Sequence, residues 1–259
     1  MKDIISKTIK VKGLDIHYLV AGQGMPLLLI HGYGGEAKKW LQNIAVLSGK
    51  YLVYAPDLPG CGTSQPLEGS YYIPELVEFM ESFVESLGLK KFYLVGHSLG
   101  GGIALNYALK NPSRIIKLVL VSSLCLGKEI ALWARVLSSL ANSIGTPLLN
   151  LFKGIKWLGE KLFIPFEFVA PISQSSVSLG SCIAGFREQT LVLVDQLSEL
   201  VMPTLLIWGD VDTIIPVKHA YQAAKVIPDC QVRIFDRQGH NVYRDDPIEF
   251  SQALAGFLS

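Results

Sequence analysis

The sequence predicts an α/β fold: a mostly parallel sheet flanked by helices, with a helical cap inserted late in the chain. Three observations predict it. Short continuous apolar runs such as MPLLLIHG, YLVYAPDLPG and KFYLVGHS lead into glycine or proline, the pattern of strands buried on both faces. Helical periodicities alternate with these runs, as parallel strands require for their crossovers. The alternation breaks near Leu124 and resumes near Ser198.

In chain order, KTIKVKGLDIHYLVAG predicts two strands around a turn at Gly13-Leu14-Asp15. IPELVEFMESFVESLGL sets Leu76, Phe79, Met80, Phe83 and Leu87 at helical spacing, with Gly88 as the C-terminal cap. GGGIALNYALKNP predicts a helix and IIKLVLVSS the strand after it. Beyond the break, MPTLLIWGDVD and CQVRIFD read as strands, KHAYQAAKVIP and PIEFSQALAGFLS as helices. The organisation expected is therefore one core built from residues 1–124 and 198–259, with a helical cap over 125–197. No internal repeat or low-complexity linker interrupts it.

Composition narrows the function classes. Of 259 residues, half are hydrophobic and 17% charged, which places the chain among globular domains with a sizeable core. The formal charge of +1, spread along the chain, gives no electrostatic footprint for nucleic acid. Cys61, Cys125, Cys182 and Cys230 lie far apart, without metal-ligand spacing, and read as free thiols of a reducing compartment. The N-terminal residues alternate like a strand where a signal peptide would carry an apolar core, and no apolar run reaches the ~20 residues of a bilayer span. A soluble, cytoplasmic protein is the expectation.

The stretch FYLVGHSLGGGIA carries the chemistry. Gly96 and Gly100 flank Ser98 at two-residue spacing, between a strand and a helix. A sharp strand-to-helix turn lifts a serine hydroxyl out of the sheet toward a base, and it leaves no room for a side chain two positions to either side. In this context the chain resembles the α/β-hydrolase fold family, as a serine carboxylesterase- or lipase-like member with a helical cap. The likeness covers nearly everything except residues 125–197.

The resemblance implies a nucleophile, acid and histidine in that chain order, the last two on loops after later strands. Ser98 is the implied nucleophile. Of the five histidines, His31 opens the HGYGG turn, His97 lies inside the elbow, and His17 and His219 fall in a strand and a helix. His240 alone stands on a loop after the last strand and follows a glycine, so it is the implied base. The acid lies at Asp210 or Asp212, and the family's strand-Trp-Gly-two residues-Asp spacing favours Asp212. The backbone N–H groups of Leu99 and Tyr33 are the implied oxyanion donors. DLPGCGTS, residues 57–64, resembles a structural loop of the family and gives Cys61 no assignable activating histidine.

Within the predicted cap, Leu148, Leu151, Phe152, Ile155, Leu158 and Leu162 share one helical face, opposite Lys153, Lys156 and Glu160. Three readings of that face stand side by side: packing onto the core, lining of an apolar acyl pocket, and transient docking at a lipid surface helped by Trp157. The leading function is hydrolysis of small apolar carboxylic esters through an acyl-enzyme, with no cofactor or metal. Ser98 does not fit the dehalogenase or epoxide-hydrolase members, which carry Asp there. A carbon–carbon bond hydrolase of ring-cleavage products and a slow-turnover small-molecule receptor are the alternatives. Oligomeric state, natural ester and acyl length are not set by these residues.

Overall fold

A computed structural model of the chain describes residues 3–68, 71–127 and 192–259. Eight strands form one sheet: β1 (Ile5–Val11), β2 (Leu14–Gly22), β3 (Pro26–Ile30), β4 (Leu52–Pro56), β5 (Phe92–His97), β6 (Ile115–Val121), β7 (Thr204–Gly209) and β8 (Cys230–Phe235). Their order across the sheet is β1-β2-β4-β3-β5-β6-β7-β8. β2 runs antiparallel to β1 and β4, and every other neighbouring pair is parallel. The helices are α1 (Leu41–Leu47), α2 (Ile73–Ser86), α3 (Leu99–Lys110), α4 (Lys218–Ala223), α5 (Val242–Asp245) and α6 (Pro247–Leu258). This is the mostly parallel, helix-flanked sheet the sequence predicts.

The central strands read as continuous apolar runs because each feeds two cores. On β3, Leu28 and Ile30 pack into one core while Leu27 and Leu29 pack into the other. β6 divides in the same way, with Leu118 and Leu120 on one face and Val119 and Val121 on the opposite face. α2 and α3 cover the first face through Phe79, Met80, Phe83, Ile103 and Tyr107. The other face is covered by α1 and α6 through Ile44, Leu47, Phe250 and Leu254.

Local chemistry sets the element ends. After α2, Gly88 takes φ +66°, its N–H donates to the Glu85 carbonyl, and Leu89 N–H donates to Val84. That pair of bonds is the Schellman stop expected of a C-terminal glycine. α6 starts on Asp246, whose side chain accepts from Glu249 N–H at 3.0 Å. The β1–β2 turn falls at Lys12-Gly13, one residue earlier than the sequence suggests. Both residues are left-handed, at φ +48° and +85°, which lets a two-residue loop follow the strand twist.

The expected cap over 125–197 and its amphipathic face at 148–162 lie outside the described residues, apart from the two roots. These adjoin: Leu193 N–H donates to the Cys125 carbonyl at 2.9 Å. A 3-10 turn, Val194–Glu199, then leads back into the core through the buried Leu197. Among the described residues no helix is long and apolar enough to cross a membrane.

Candidate active site

The sequence-predicted site residues all gather at the carboxyl ends of β3, β5, β7 and β8, where open α/β sheets place ligands. Ser98 is the single residue between β5 and α3, and it turns the chain with φ +54° and ψ −114°. Such a backbone costs a non-glycine residue on the order of 1–3 kcal/mol and needs surroundings that enforce it. Here Ser98 N–H donates to Val121 at 2.9 Å, and the Ser98 carbonyl accepts from Gly102 and Leu124 at 3.1 and 3.0 Å.

The flanking glycines are sterically required. A Cβ on Gly96 would run into the Gly100 carbonyl, and one on Gly100 would lie 2.5 Å from the carbonyl oxygens of Ile30 and His31. α3 is thereby pressed against the end of β3. Leu99 is the first residue of α3, so its N–H has no acceptor within the helix and carries the positive end of the helix dipole.

β3 continues into His31-Gly32-Tyr33, the loop predicted to supply the second donor. Gly32 abuts the elbow: a Cβ there would sit 3.0 Å from Ser98 Cβ and 2.8 Å from His97 Nδ1. His31 staples this loop to the turn after β4. Its Nδ1–H donates to the Gly32 carbonyl at 2.8 Å, and Leu58 N–H donates to its Nε2 at 3.0 Å. Full burial holds the His31 imidazole below the ordinary histidine range, which suits a ring using one nitrogen as donor and the other as acceptor.

After β7, Asp212 is buried and Asp210 is exposed. Asp212 Oδ1 accepts from Ile214 N–H at 2.8 Å and Ile215 N–H at 2.9 Å, while Oδ2 accepts from His240 Nδ1 at 2.8 Å. Trp208 locks the loop by donating its indole N–H to the Ile215 carbonyl at 2.9 Å. A Cβ at Gly209 would run into the carbonyls of Gln238 and Gly239, so the missing side chain lets the His240 loop close onto the Asp212 loop. A carboxylate can only accept, so His240 Nδ1 carries a proton, and in the neutral ring Nε2 then keeps its lone pair. That Nε2 is buried and has no hydrogen-bond partner among the described residues.

His240 and Ser98 line one cleft of about 30 Å³, together with Gly32, Tyr33, Lys39 and Asn241. It has room for a water or two. A second, mainly apolar cleft shares Gly32 and Tyr33 with the first and is lined by Leu58, Pro59, Cys61, Tyr71, Leu76 and Leu99. Chemically, a strained serine that shares a cleft with an imidazole of open Nε2 and anchored Nδ1–H can attack an acyl carbon. Burial pushes the Cys125 thiol up to about 12 and the Cys230 thiol to about 11, so neither offers a thiolate. Among the described residues no cluster of three or more His, Cys, Asp or Glu could hold a metal ion.

Sequence reasoning passed over two supporting groups. Asp57, read only as part of a structural loop, is a buried hub: it accepts from Ala37 N–H at 2.6 Å, Thr63 N–H at 2.9 Å and His17 Nδ1 at 2.8 Å. His97, read only as an elbow residue, donates Nε2–H to the His240 carbonyl at 2.9 Å. The glycine at position 62, against which the Asp57 carboxylate packs, was the available signal for the first. Nothing local in the sequence marks the second.

Residues 25–247 match the sequence profile of the alpha/beta hydrolase fold. A pimeloyl-[acyl-carrier protein] methyl ester esterase of Vibrio vulnificus is 29% identical over 254 residues, covering 94% of this chain and 98% of that protein. Among solved structures, a membrane phospholipase A described as a bacterial virulence factor superposes with a TM-score of 0.81 at 26% identity, over 98% of this chain and 86% of that one. A meta-cleavage product hydrolase superposes with a TM-score of 0.79 at 25% identity, over 98% of both chains. With the profile spanning most of the sequence and the sheet order and elbow already described, the chain belongs to the α/β hydrolase fold family.

Proposed function

We propose that this protein hydrolyses carboxylic esters with an apolar acyl group through an acyl-enzyme on Ser98. Ser98 Oγ attacks the ester carbonyl while His240 Nε2 takes its proton, and Asp212 Oδ2 holds the Nδ1–H and stabilises the imidazolium. The Leu99 and Tyr33 N–H groups receive the oxyanion. As the tetrahedral intermediate collapses, the imidazolium returns the proton to the departing alkoxide. A water, deprotonated by His240, then attacks the acyl carbon and releases the acid and free Ser98.

One observation carries this reading: the 2.8 Å Asp212–His240 contact leaves His240 Nε2 unengaged in a cleft shared with the strained Ser98. The similarity to an ester esterase and a phospholipase supports the ester bond as target. Leu58, Pro59, Leu76 and Leu99 set apolar side chains beside Tyr33, around a space of about 10 Å³ with room for a single water, and this lining favours an apolar over a charged acyl group.

The test is p-nitrophenyl ester hydrolysis with Ser98→Ala alongside. Ser98→Ala should lower kcat by on the order of 10⁴ without unfolding the protein. In the parent protein kcat/KM should rise from acetate to butyrate, roughly three- to fourfold per buried methylene. Normal turnover by folded Ser98→Ala would end the mechanism, and a monotonic preference for acetate would end the apolar-acyl reading. The likeness to a meta-cleavage product hydrolase favours carbon–carbon bond hydrolysis as the second reading, since the same residues would serve it. Turnover of a vinylogous 1,5-diketone faster than any ester would establish that alternative.

A further inference from the structure

His97 is neither nucleophile nor base in the reading above, yet it touches three of the segments that build the site. Its Nε2–H donates to the His240 backbone carbonyl at 2.9 Å, across 143 residues of sequence. Its ring centroid lies 4.8 Å from that of His240 and 4.7 Å from that of Tyr243. Tyr243 in turn packs on Trp40 at 4.1 Å. The Nδ1 edge faces Gly32 so closely that a Cβ there would sit 2.8 Å away. Among the described residues Nδ1 has no hydrogen-bond partner, although the side chain is buried.

We infer that His97 is a positioning residue for the base: its Nε2–H fixes the His240 carbonyl and so holds the His240 ring between Asp212 and Ser98. The inference rests on the reading of Ser98 as nucleophile and His240 as base. The elbow thus fixes the base as well as the nucleophile. Ser98 and His97 are consecutive, so a single turn of chain carries both the serine and the group bonded to the His240 backbone. The side chain of Asp212 anchors one edge of the base, and His97 anchors its backbone.

The role requires a proton on His97 Nε2, and in the neutral ring Nδ1 is then bare. Burial holds its pKa well below the ordinary histidine range, and the nearby His240, Lys39 and Arg244 push it the same way. When His240 becomes an imidazolium during acyl transfer, the same repulsion keeps the proton from moving to its neighbour. Only one ring of the pair is available as base.

The test uses the full chain and a fluorophosphonate that labels an activated serine, read by mass spectrometry, together with p-nitrophenyl butyrate kinetics. His97→Leu should slow Ser98 labelling and lower kcat by roughly 10- to 100-fold with KM within about twofold, the span expected for loss of one buried hydrogen bond. His97→Gln places an amide nitrogen the same number of bonds from Cα as the imidazole Nε2, and it should recover most of the lost rate. Parent-like labelling and kcat in folded His97→Leu would overturn the inference, and so would a Gln variant as slow as the Leu variant. If the Leu variant does not fold, the ¹⁵N chemical shifts of the parent protein decide. At pH 8 His97 should show a protonated Nε2 and an unprotonated Nδ1, and a neutral ring protonated on Nδ1 alone would refute the role. An unlabelled Ser98 in the parent protein would instead remove the nucleophile assignment, and this inference with it.

Discussion

Replacing Asp212 by asparagine tests the acid assignment through hydrogen-bond geometry alone. The carboxylate has two engaged edges: Oδ1 takes two backbone N–H groups, from Ile214 and Ile215, and Oδ2 takes His240 Nδ1. An asparagine must give one edge an oxygen and the other an NH₂. Turning the NH₂ toward Ile214 and Ile215 would leave two buried donors unsatisfied, each costing about 1–3 kcal/mol. Turning it toward His240 sacrifices only one contact, and that contact is recovered if the imidazole shifts its proton to Nε2. The second orientation therefore wins by a few kcal/mol. In that tautomer Nε2 is a donor and cannot take the Ser98 proton. The expected loss is on the order of 10⁴ in kcat, about 5.5 kcal/mol of transition-state stabilisation, with the fold intact. Asp210→Asn alters an exposed side chain and should stay within about twofold of the parent. The assay is p-nitrophenyl butyrate hydrolysis, with circular dichroism to confirm folding. A crippled Asp210→Asn, or an Asp212→Asn with near-parent kcat, would refute the reasoning.

Two further outcomes follow from the packing. Gly96→Ala would drive a methyl group into the Gly100 carbonyl, so urea denaturation should show a loss of roughly 1–3 kcal/mol or more, and unchanged stability would mean the elbow can relax in a way this geometry denies. Stability should also fall with acidification below pH 6.5, the ordinary histidine value, because His31 and His97 are held neutral in the folded protein while the unfolded chain protonates both. The unfolded state then binds more protons, which makes unfolding easier by up to about 1.4 kcal/mol per pH unit for each ring, with the full contribution present above 6.5. His97→Gln should remove about half of that slope in urea titrations from pH 7 to 5, and equal stability at both ends would contradict it.

Much of this fold was legible because burial on both faces writes itself directly into composition. β3, β5, β6 and β7 have to satisfy two cores, so they appear as largely apolar runs, broken in β6 by Lys117, whose ammonium reaches the Phe257 carbonyl. α2 was legible for the opposite reason: one buried face, one exposed face and a glycine that stops it. α1 escaped notice despite Trp40, Ile44 and Leu47 at helical spacing, because it is seven residues long and begins with no side-chain cap. The β1–β2 turn was displaced because Lys12, a residue with no special turn preference, adopts the left-handed conformation that the two-residue loop demands. The family resemblance pointed to Asp212 over Asp210, and in the fold Asp212 is the one that meets His240, on a loop held by the Trp208 indole bond and the close approach at Gly209.

The positioning groups were hidden for a physical reason. Ser98 announces itself locally, since its strained turn demands glycines two residues away on both sides. The bonds of Asp57 and His97 instead join segments distant in sequence, and an ordinary Asp or His at those positions carries no local mark of its partner. Yet glycine records even these meetings indirectly. Gly32 exists where the β3 loop touches the elbow, Gly62 where the turn wraps the Asp57 carboxylate, and Gly209 where the base loop meets the acid loop. At each point a side chain would hold two backbones or a backbone and a functional group apart by about an atom's width. The site is assembled by close approach, and its contacts are encoded by residues whose contribution is the absence of a Cβ.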